Sequence, residues 1–217
     1  SYDAHMMKNM EWGAVAYLSH SKYGKYGNSM YEGSNKEIYQ NKSSEYITGS
    51  SNGTPGQVDT NTQCPYNDTI DRGNGLGACG AGASTTGNIY GIYDMVGGAY
   101  DYVMGGMYNS DNVTIAVRET EFDQTTIDSN EMRKYVDKYK YNDSSSDDTR
   151  RLLGDATGET KKWYNDSANY VSSDNPWLVR GGRFSQDINV GIFNFNNHEG
   201  GSSSNCSFRL VITSMLN

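Results

Sequence analysis

Three cysteines and three histidines carry the strongest nucleophilic and metal-binding potential in this 217-residue chain. Cys64 and Cys79 bracket the stretch PYNDTIDRGNGLGA, and Cys206 stands apart near the end. A bridge between the first two would close a loop of about fifteen residues, worth about 3 kcal/mol in chain-entropy terms. The alternative is a pair of free thiols in a reducing compartment; a composition heavy in Tyr, Asn and Ser points instead to export and to the bridge. His5, His20 and His198 are scattered, and no Cys/His pair has zinc-ligand spacing. Ser, His and Asp all occur, but no G-x-S-x-G elbow positions a nucleophile. GNGLGACGAG (73–82) matches G-x-G-x-x-G only loosely, with no buried strand before it and no helix after it. It reads as a flexible loop closed by the disulfide rather than a phosphate cradle.

Charge narrows the partners. RKYVDKYKY (133–141) interleaves Lys and Arg with Tyr, as a groove for single-stranded nucleic acid would. Acidic residues surround it, and the formal net charge of −8 repels a phosphate backbone at long range. The stretch therefore reads as a solvated helix face, and nucleic acid is not an expected partner. No run approaches the ~20 apolar residues of a membrane span, so no membrane insertion by this domain is expected. The chain opens at Ser1 rather than Met, which suggests an excised domain whose export and anchoring segments lie upstream.

The elements that must hold these residues follow from periodicity. DAHMMKNMEWGAVAYLSH carries Met7, Met10, Ala14 and Leu18 at helical spacing, with Asp3 placed to cap the first turn and His5 and His20 at opposite ends. Residues 21–84 suggest short strands and long loops. In GNIYGIYDMVGGAYDYVMG (87–105) a Gly-Gly corner feeds a strand in which Tyr100, Tyr102 and Met104 alternate. Residues 109–162 read as an insertion, with short helices at 130–138 and at DDTRRLLG, the latter capped by Asp148 and ended by Gly154. PWLVRGGRF, NVGIFNF and SFRLVITS give three further strands. No Pro-rich or Gly/Ser linker divides the chain, which predicts one domain, residues 1–217, with a core dominated by aromatics: 18 Tyr and 3 Trp supply the bulk that a hydrophobic content of 35% otherwise lacks.

Four of these pieces, in order, carry a resemblance: a helix bearing EW, then GIYDMVGGAYDYV, then VRGGRF, and lastly SFRLV. Together they resemble the landmarks of the C-type lectin-like fold of the formylglycine-generating-enzyme (sulfatase-modifying factor) type, an α+β architecture with long loops. The match covers the beginning and roughly the last forty residues well and the middle poorly. It departs from the family at Tyr100 and Tyr102, where Trp is usual, at Gly98, where Asn is frequent, and at Ser207, which replaces the Gly before Phe-Arg. The founding activity of that family is an oxidase that binds copper through two cysteines just after R-G-G-S. The equivalent stretch here, GGRFSQDINVGIF, has none, and neither Gln, Ser nor Gly supplies the soft ligand that this chemistry needs. Arg180 and Arg209 are read as structural, holding strand ends or carboxylates.

The chain is more similar to the variable proteins of diversity-generating retroelements, including surface, pilin-like or phage-borne proteins of gut Firmicutes. In these, adenines in the segment between R-G-G and F-R are randomised to diversify a ligand-binding face. An Asn codon treated in this way yields Asn, Asp, Ser, Tyr, His, Gly, Phe, Cys and others, but not Lys, Glu, Gln, Met or Trp. Asp187, Asn189, Asn194, Asn196, Asn197, His198, Ser204, Asn205 and Cys206 belong to the reachable set; Gln186 and Glu199 do not and are read as fixed. With Arg183 these residues form the expected variable face, within residues 183–206. Asn194 and Asn196 are expected to point outward, with Phe193 and Phe195 packed inside and the lone Cys206 a chance product of diversification. A loop without a partner is the competing reading of the same Gly/Ser/Asn composition.

The resemblance further implies a calcium ion at the corner DMVGGAYD, held by Asp94 and Asp101 with backbone carbonyls. The competing reading is a tight corner in which both carboxylates cap backbone amides. No cofactor is required, and a structural calcium is the one ligand of that kind the resemblance implies. The expectation is therefore a non-enzymatic, surface-displayed adhesin domain, extracellular or on a virion. It would bind a protein or glycan on another cell or surface and belong to a larger surface, pilus or phage-tail protein. An oxidase derivative and a purely structural pilus or tail component are the alternatives.

Overall fold

The computed structural model describes residues 2–24, 91–108, 132–141, 152–161, 163–164, 166–183, 186 and 190–214, and the account that follows concerns these. The Cys64–Cys79 pair, Asp148, Asp187 and Asn189 lie outside them. In chain order the elements are β1 (Tyr2–Met6), α1 (Asn9–Ser19), β2 (Tyr100–Met107), a 3-10 turn (Met132–Tyr135), β3 (Asp137–Tyr139), β4 (Trp177–Arg180), β5 (Phe195–His198), β6 (Cys206–Phe208) and β7 (Leu210–Ser214). Sheet with a single α-helix places the described residues in the α+β class. None of the helices among the described residues is long and apolar enough to cross a membrane.

β2 organises the main sheet, in the order β3-β2-β4-β5. One edge of β2 runs antiparallel to β4, with Asp101 opposite Arg180 and Tyr102 opposite Val179. The other edge is shared in parallel, β6 taking Tyr100–Tyr102 and β3 taking Gly105–Met107. β5 continues the sheet beyond β4, with Trp177 opposite His198 and Arg180 opposite Phe195. β1 and β7 form a separate antiparallel ladder. It abuts the main sheet through a bridge between Lys8 and Met104.

Side-chain alternation splits this sheet into two unlike faces. Val103, Leu178 and Phe195 point to the main core, where they meet Trp12, Val15 and Ala16 of α1 together with Met95, Ile192 and Phe193. The opposite face carries Tyr102 and Met104, which pack on a small second cluster of Trp177 and Val136.

Three expectations change on contact with the fold. The first helix starts later than its periodicity suggests: residues 2–6 are strand, and Asp3 caps nothing, since its carboxylate accepts hydrogen bonds from Tyr135 Oη and Lys134 Nζ. Helix entry is instead fixed by Glu11, whose Oε2 accepts the Lys8 N–H at 2.8 Å and whose Oε1 meets His5 Nε2 at 2.9 Å. Residues 133–141 are not a solvated helix face, because the 3-10 turn passes directly into β3, which the edge of β2 recruits by backbone hydrogen bonding. NVGIFNF becomes a strand only at Phe195; Asn194 N–H donates to Gly191 O at 3.1 Å and closes a turn.

Residues 136–139 and 155–157, within the expected insertion, are built into the interior. Tyr139 and Ala156 lie in the main cluster, and Asp155 and Thr157 are buried. α1 meets this segment so closely that a Cβ on Gly13 would stand 2.2 Å from Gly154 O, so only glycine fits there. Residues 152–154 are turn rather than helix, although Gly154 has the left-handed φ of 90° expected of a terminator.

Candidate ligand-binding face

The inner face fixes the frame. Trp12 is fully buried and donates Nε1–H to Ile192 O at 2.9 Å. The guanidinium carbon of Arg180 lies 5.7 Å from its ring centroid and that of Arg209 5.8 Å, so both landmark arginines meet the same indole. Gly181 passes through the remaining gap with φ 77°; a Cβ there would be 2.3 Å from Met95 O and 2.9 Å from Trp12 Cη2. The four sequence landmarks, far apart in the chain, thus converge on Trp12.

Arg180 is completely buried and donates Nη2–H to Ala156 O at 3.0 Å, while its Nε and Nη1 have no hydrogen-bond partner. Burial pushes its pKa down to about 10, against the pull of Asp155. Asp155 is held by four donors: Tyr139 Oη, Leu152 N, Thr157 N and Thr157 Oγ1. Burial still pushes its carboxyl up, because internal donors replace only part of the lost water. With Asn9 Nδ2 donating to Tyr139 Oη at 2.7 Å, this network ties α1, β3 and residues 152–157 together. All the side chains in it are buried, Leu152 contributing only its backbone N–H, which makes it a structural network.

The corner of Asp94 and Asp101 holds a cation, and that cation is Arg209. Its Nε–H donates to Asp101 Oδ2 at 2.7 Å, its Nη1–H to Tyr93 O at 2.9 Å, and its Nη2–H to Asp94 O. The other Asp101 oxygen, Oδ1, accepts from Ser207 Oγ at 2.7 Å. Gly97 and Gly98, with φ of 90° and 71°, and Asp94 at 57° turn the chain so that these carbonyls face the guanidinium. Arg209 therefore occupies one of the two carboxylates the resemblance assigns to calcium, that of Asp101, together with the backbone carbonyls of Tyr93 and Asp94. Among the described residues no group of three or more His, Cys, Asp or Glu converges on one point.

The outer face carries the candidate site. Asn196 and His198 of β5 sit across from Val179 and Trp177, while Cys206 and Phe208 of β6 sit across from Tyr100 and Tyr102. Pairing puts all of them on the side opposite Asp101 and Arg180. Tyr102 is the centre: its hydroxyl donates to Gly201 O at 2.9 Å and contacts His198 Nδ1. The His198 ring stands edge-on to the Tyr102 ring at 5.2 Å. Burial, reinforced by Cys206 and Glu199, pushes the Tyr102 phenol well above its ordinary value, so it stays a neutral hydroxyl.

Two proton arrangements satisfy this cluster. With the hydroxyl proton on Gly201 O, His198 Nδ1–H donates to Tyr102 and Nε2 is left as an acceptor. With it on Nδ1, Nε2 carries the proton and Nδ1 also accepts from Gly200 N–H at 3.2 Å.

The other expected positions divide. Asn196 Oδ1 accepts from Asn169 Nδ2 at 3.0 Å and from Asn197 N at 2.9 Å. Asn197 faces the opposite way, its Nδ2 donating to Tyr170 O at 2.7 Å. Asn194 does not point outward: it is fully buried, and neither amide atom has a hydrogen-bond partner. The turn at residues 191–194 breaks the strand alternation on which its outward placement was argued. Phe193 and Phe195 are buried as expected, at 1% exposure each.

Ser204 is exposed and Asn205 half-buried, in the loop that leads to β6. Cys206 is a half-buried free thiol whose pKa burial pushes up, against hydrogen bonds from Ser203 and Tyr102 and the charge of Arg183. Arg183 is half-buried and its backbone N–H is held by Gln186 Oε1 at 2.9 Å. Sequence reasoning missed Tyr102 and Phe208 as members of this face. The signal was present, since the parity that sends Asp101 to Arg209 sends Tyr102 the other way. Phe208 is 61% exposed next to them.

This geometry supplies hydrogen-bonding groups and aromatic area on a fixed sheet. No family model, curated protein or solved structure matches this chain.

Proposed function

We propose that the chain is a non-enzymatic binding module of C-type lectin-like architecture, of the kind diversified by retroelements and displayed on a cell or virion surface. It grips a protein or glycan with the outer face of its main sheet and the adjoining loop of residues 199–205. One observation carries this reading. Asn196, His198 and Cys206, positions that adenine randomisation reaches, share one sheet face with Tyr102 and the exposed Phe208, with Ser204 and Asn205 next to them. Small polar groups mixed with rigid aromatics give adaptable hydrogen bonding and contact area at low entropic cost, as in antibody paratopes.

Convergence of the four landmarks on Trp12 supports the lectin-like reading, because it gives each a structural reason to be retained. At the corner the frame pairs Arg209 with Asp101, which fixes the end of β6 to the start of β2. Absence of cysteine from GGRFSQDINVGIF supports binding rather than oxidation.

The test is a labelled chain probed against arrays of bacterial surface proteins and of glycans. Replacing Asn196, His198, Ser204 and Asn205 together by Ala is expected to abolish the signal, whereas Leu18→Ala on the exposed side of α1 preserves it. Binding that survives the fourfold change, or copper-dependent oxidation of a cysteine peptide by the chain, overturns the proposal.

A further inference from the structure

The outer face contains one side chain outside the variable segment that ties two points within it. The Tyr102 hydroxyl meets His198 at the end of β5 and Gly201 in the loop, and β6 begins beside it, with Cys206 across from Tyr100. The span from 198 to 206 is otherwise tied down lightly. Asn205 O accepts Tyr100 N–H at 2.8 Å, and Cys206 N–H and Asn205 N–H turn back on Ser203. Residues 199–204 are exposed.

From this we infer that Tyr102 is a specificity-determining positioning residue, which couples the identity of residue 198 to the shape of the 199–205 loop. The inference rests on the binding reading of this face and adds a division of labour within it. Residue 198 plugs into a fixed hydroxyl, so exchanging it rebuilds the loop. Residue 204 does not touch it, so exchanging that one changes a tip on an unchanged loop.

The division follows from chemistry. A phenol has one proton to give and lone pairs to receive. It accommodates His, Ser, Asn, Asp or Cys at 198 in different hydrogen-bond arrangements, whereas Phe there leaves it one partner fewer and releases one tie. A buried hydroxyl that loses a partner must find another, and the nearest carbonyls and amides belong to the loop itself.

The experiment is Tyr102→Phe, which removes one oxygen and keeps the ring against Trp177 and Met104. Two readouts need no target: the rate of maleimide labelling of Cys206 resolved by peptide, and hydrogen exchange of amides 199–206. Losing this anchor is expected to speed labelling and loop exchange about fivefold, the value of one net hydrogen bond. His198→Ala, with Tyr102 intact, is expected to speed exchange at Gly200 and Gly201, and Ser204→Ala to leave all rates as they are.

Unchanged labelling and exchange in both Tyr102→Phe and His198→Ala overturns the hub, as does a Ser204→Ala that loosens the loop equally. Should Tyr102→Phe fail to fold, His198→Ala decides alone. A hub that fails leaves the binding face standing, and arrays without signal remove the binding face while leaving these rates untouched.

Discussion

β2 serves two regions that differ in almost every respect although they are separated by the thickness of one strand. Asp101 and Val103 face Trp12, Arg180 and Arg209, where each polar contact is fixed by a partner from another landmark. Tyr100 and Tyr102 face the loop of residues 199–205, where the contacts reach a short stretch of chain that is mostly exposed. The inner region spends its residues on uniqueness: close approach at Gly181 and an indole between two guanidiniums leave one solution. The outer region sets a mostly exposed loop on a floor of paired strands. A binding module needs both, because interchangeable tips are useful only if exchanging them leaves the frame unmoved.

Perturbations that test this contrast range from large effects inside to small ones outside. Trp12→Ala removes the side chain on which the landmarks converge and is expected to cost about 4 kcal/mol, read by urea unfolding. A cost below about 1 kcal/mol, the ordinary level for a point change, would break the contrast at its root. Asp101→Asn keeps the shape but withdraws the charge that Arg209 faces, and is expected to cost about 2 kcal/mol in the same measurement.

Asn194→Leu tests the interior from the other direction. The amide is buried with both polar atoms unpartnered, so an apolar group of similar volume is expected to stabilise the protein by about 1 kcal/mol.

A weaker inner effect is electrostatic. Burial raises the carboxyl of Asp137, which accepts Met10 N–H at 2.7 Å, and burial likewise raises that of Asp155. A raised folded value means stability that is fully present below the ordinary carboxyl value of 3.8 and is lost as pH climbs through the raised one. Asp137→Asn is therefore expected to flatten the fall in Tm between about pH 4 and about pH 7, and an unaltered slope would remove this group from the account. At the outer extreme, Ser204→Ala is expected to change stability by less than about 0.5 kcal/mol while weakening target binding.

Much of the inner frame was legible in sequence. The alternation of Tyr100, Tyr102 and Met104 gave β2, WLVR gave β4, the paired glycines gave the corner, and Arg209 was read as a residue that holds carboxylates. Other parts were not. Met7, Met10, Ala14 and Leu18 extend a helical period back over residues that β7 recruits as strand. Periodicity reports which residues share a face, not whether a distant edge competes for the backbone. The same competition turned residues 137–139 into β3. Of the expected face, Asn196 and His198 lie on one side of β5 while Asn197 faces the other and Asn194 is buried, because the turn at Gly191 resets the parity.

Local sequence by itself determined the strand parities, the Gly-Gly corners and a strongly acidic chain with no cysteine where copper chemistry would need it, since these depend on residues near one another or on composition. Only the tertiary structure decided that Arg209 meets Asp101 at the corner, that Tyr139 and Ala156 close the core and that Tyr102 meets Gly201 in the loop. Each of those outcomes is a contact between segments distant in the chain, and its energy depends on which groups lose water together when the elements pack.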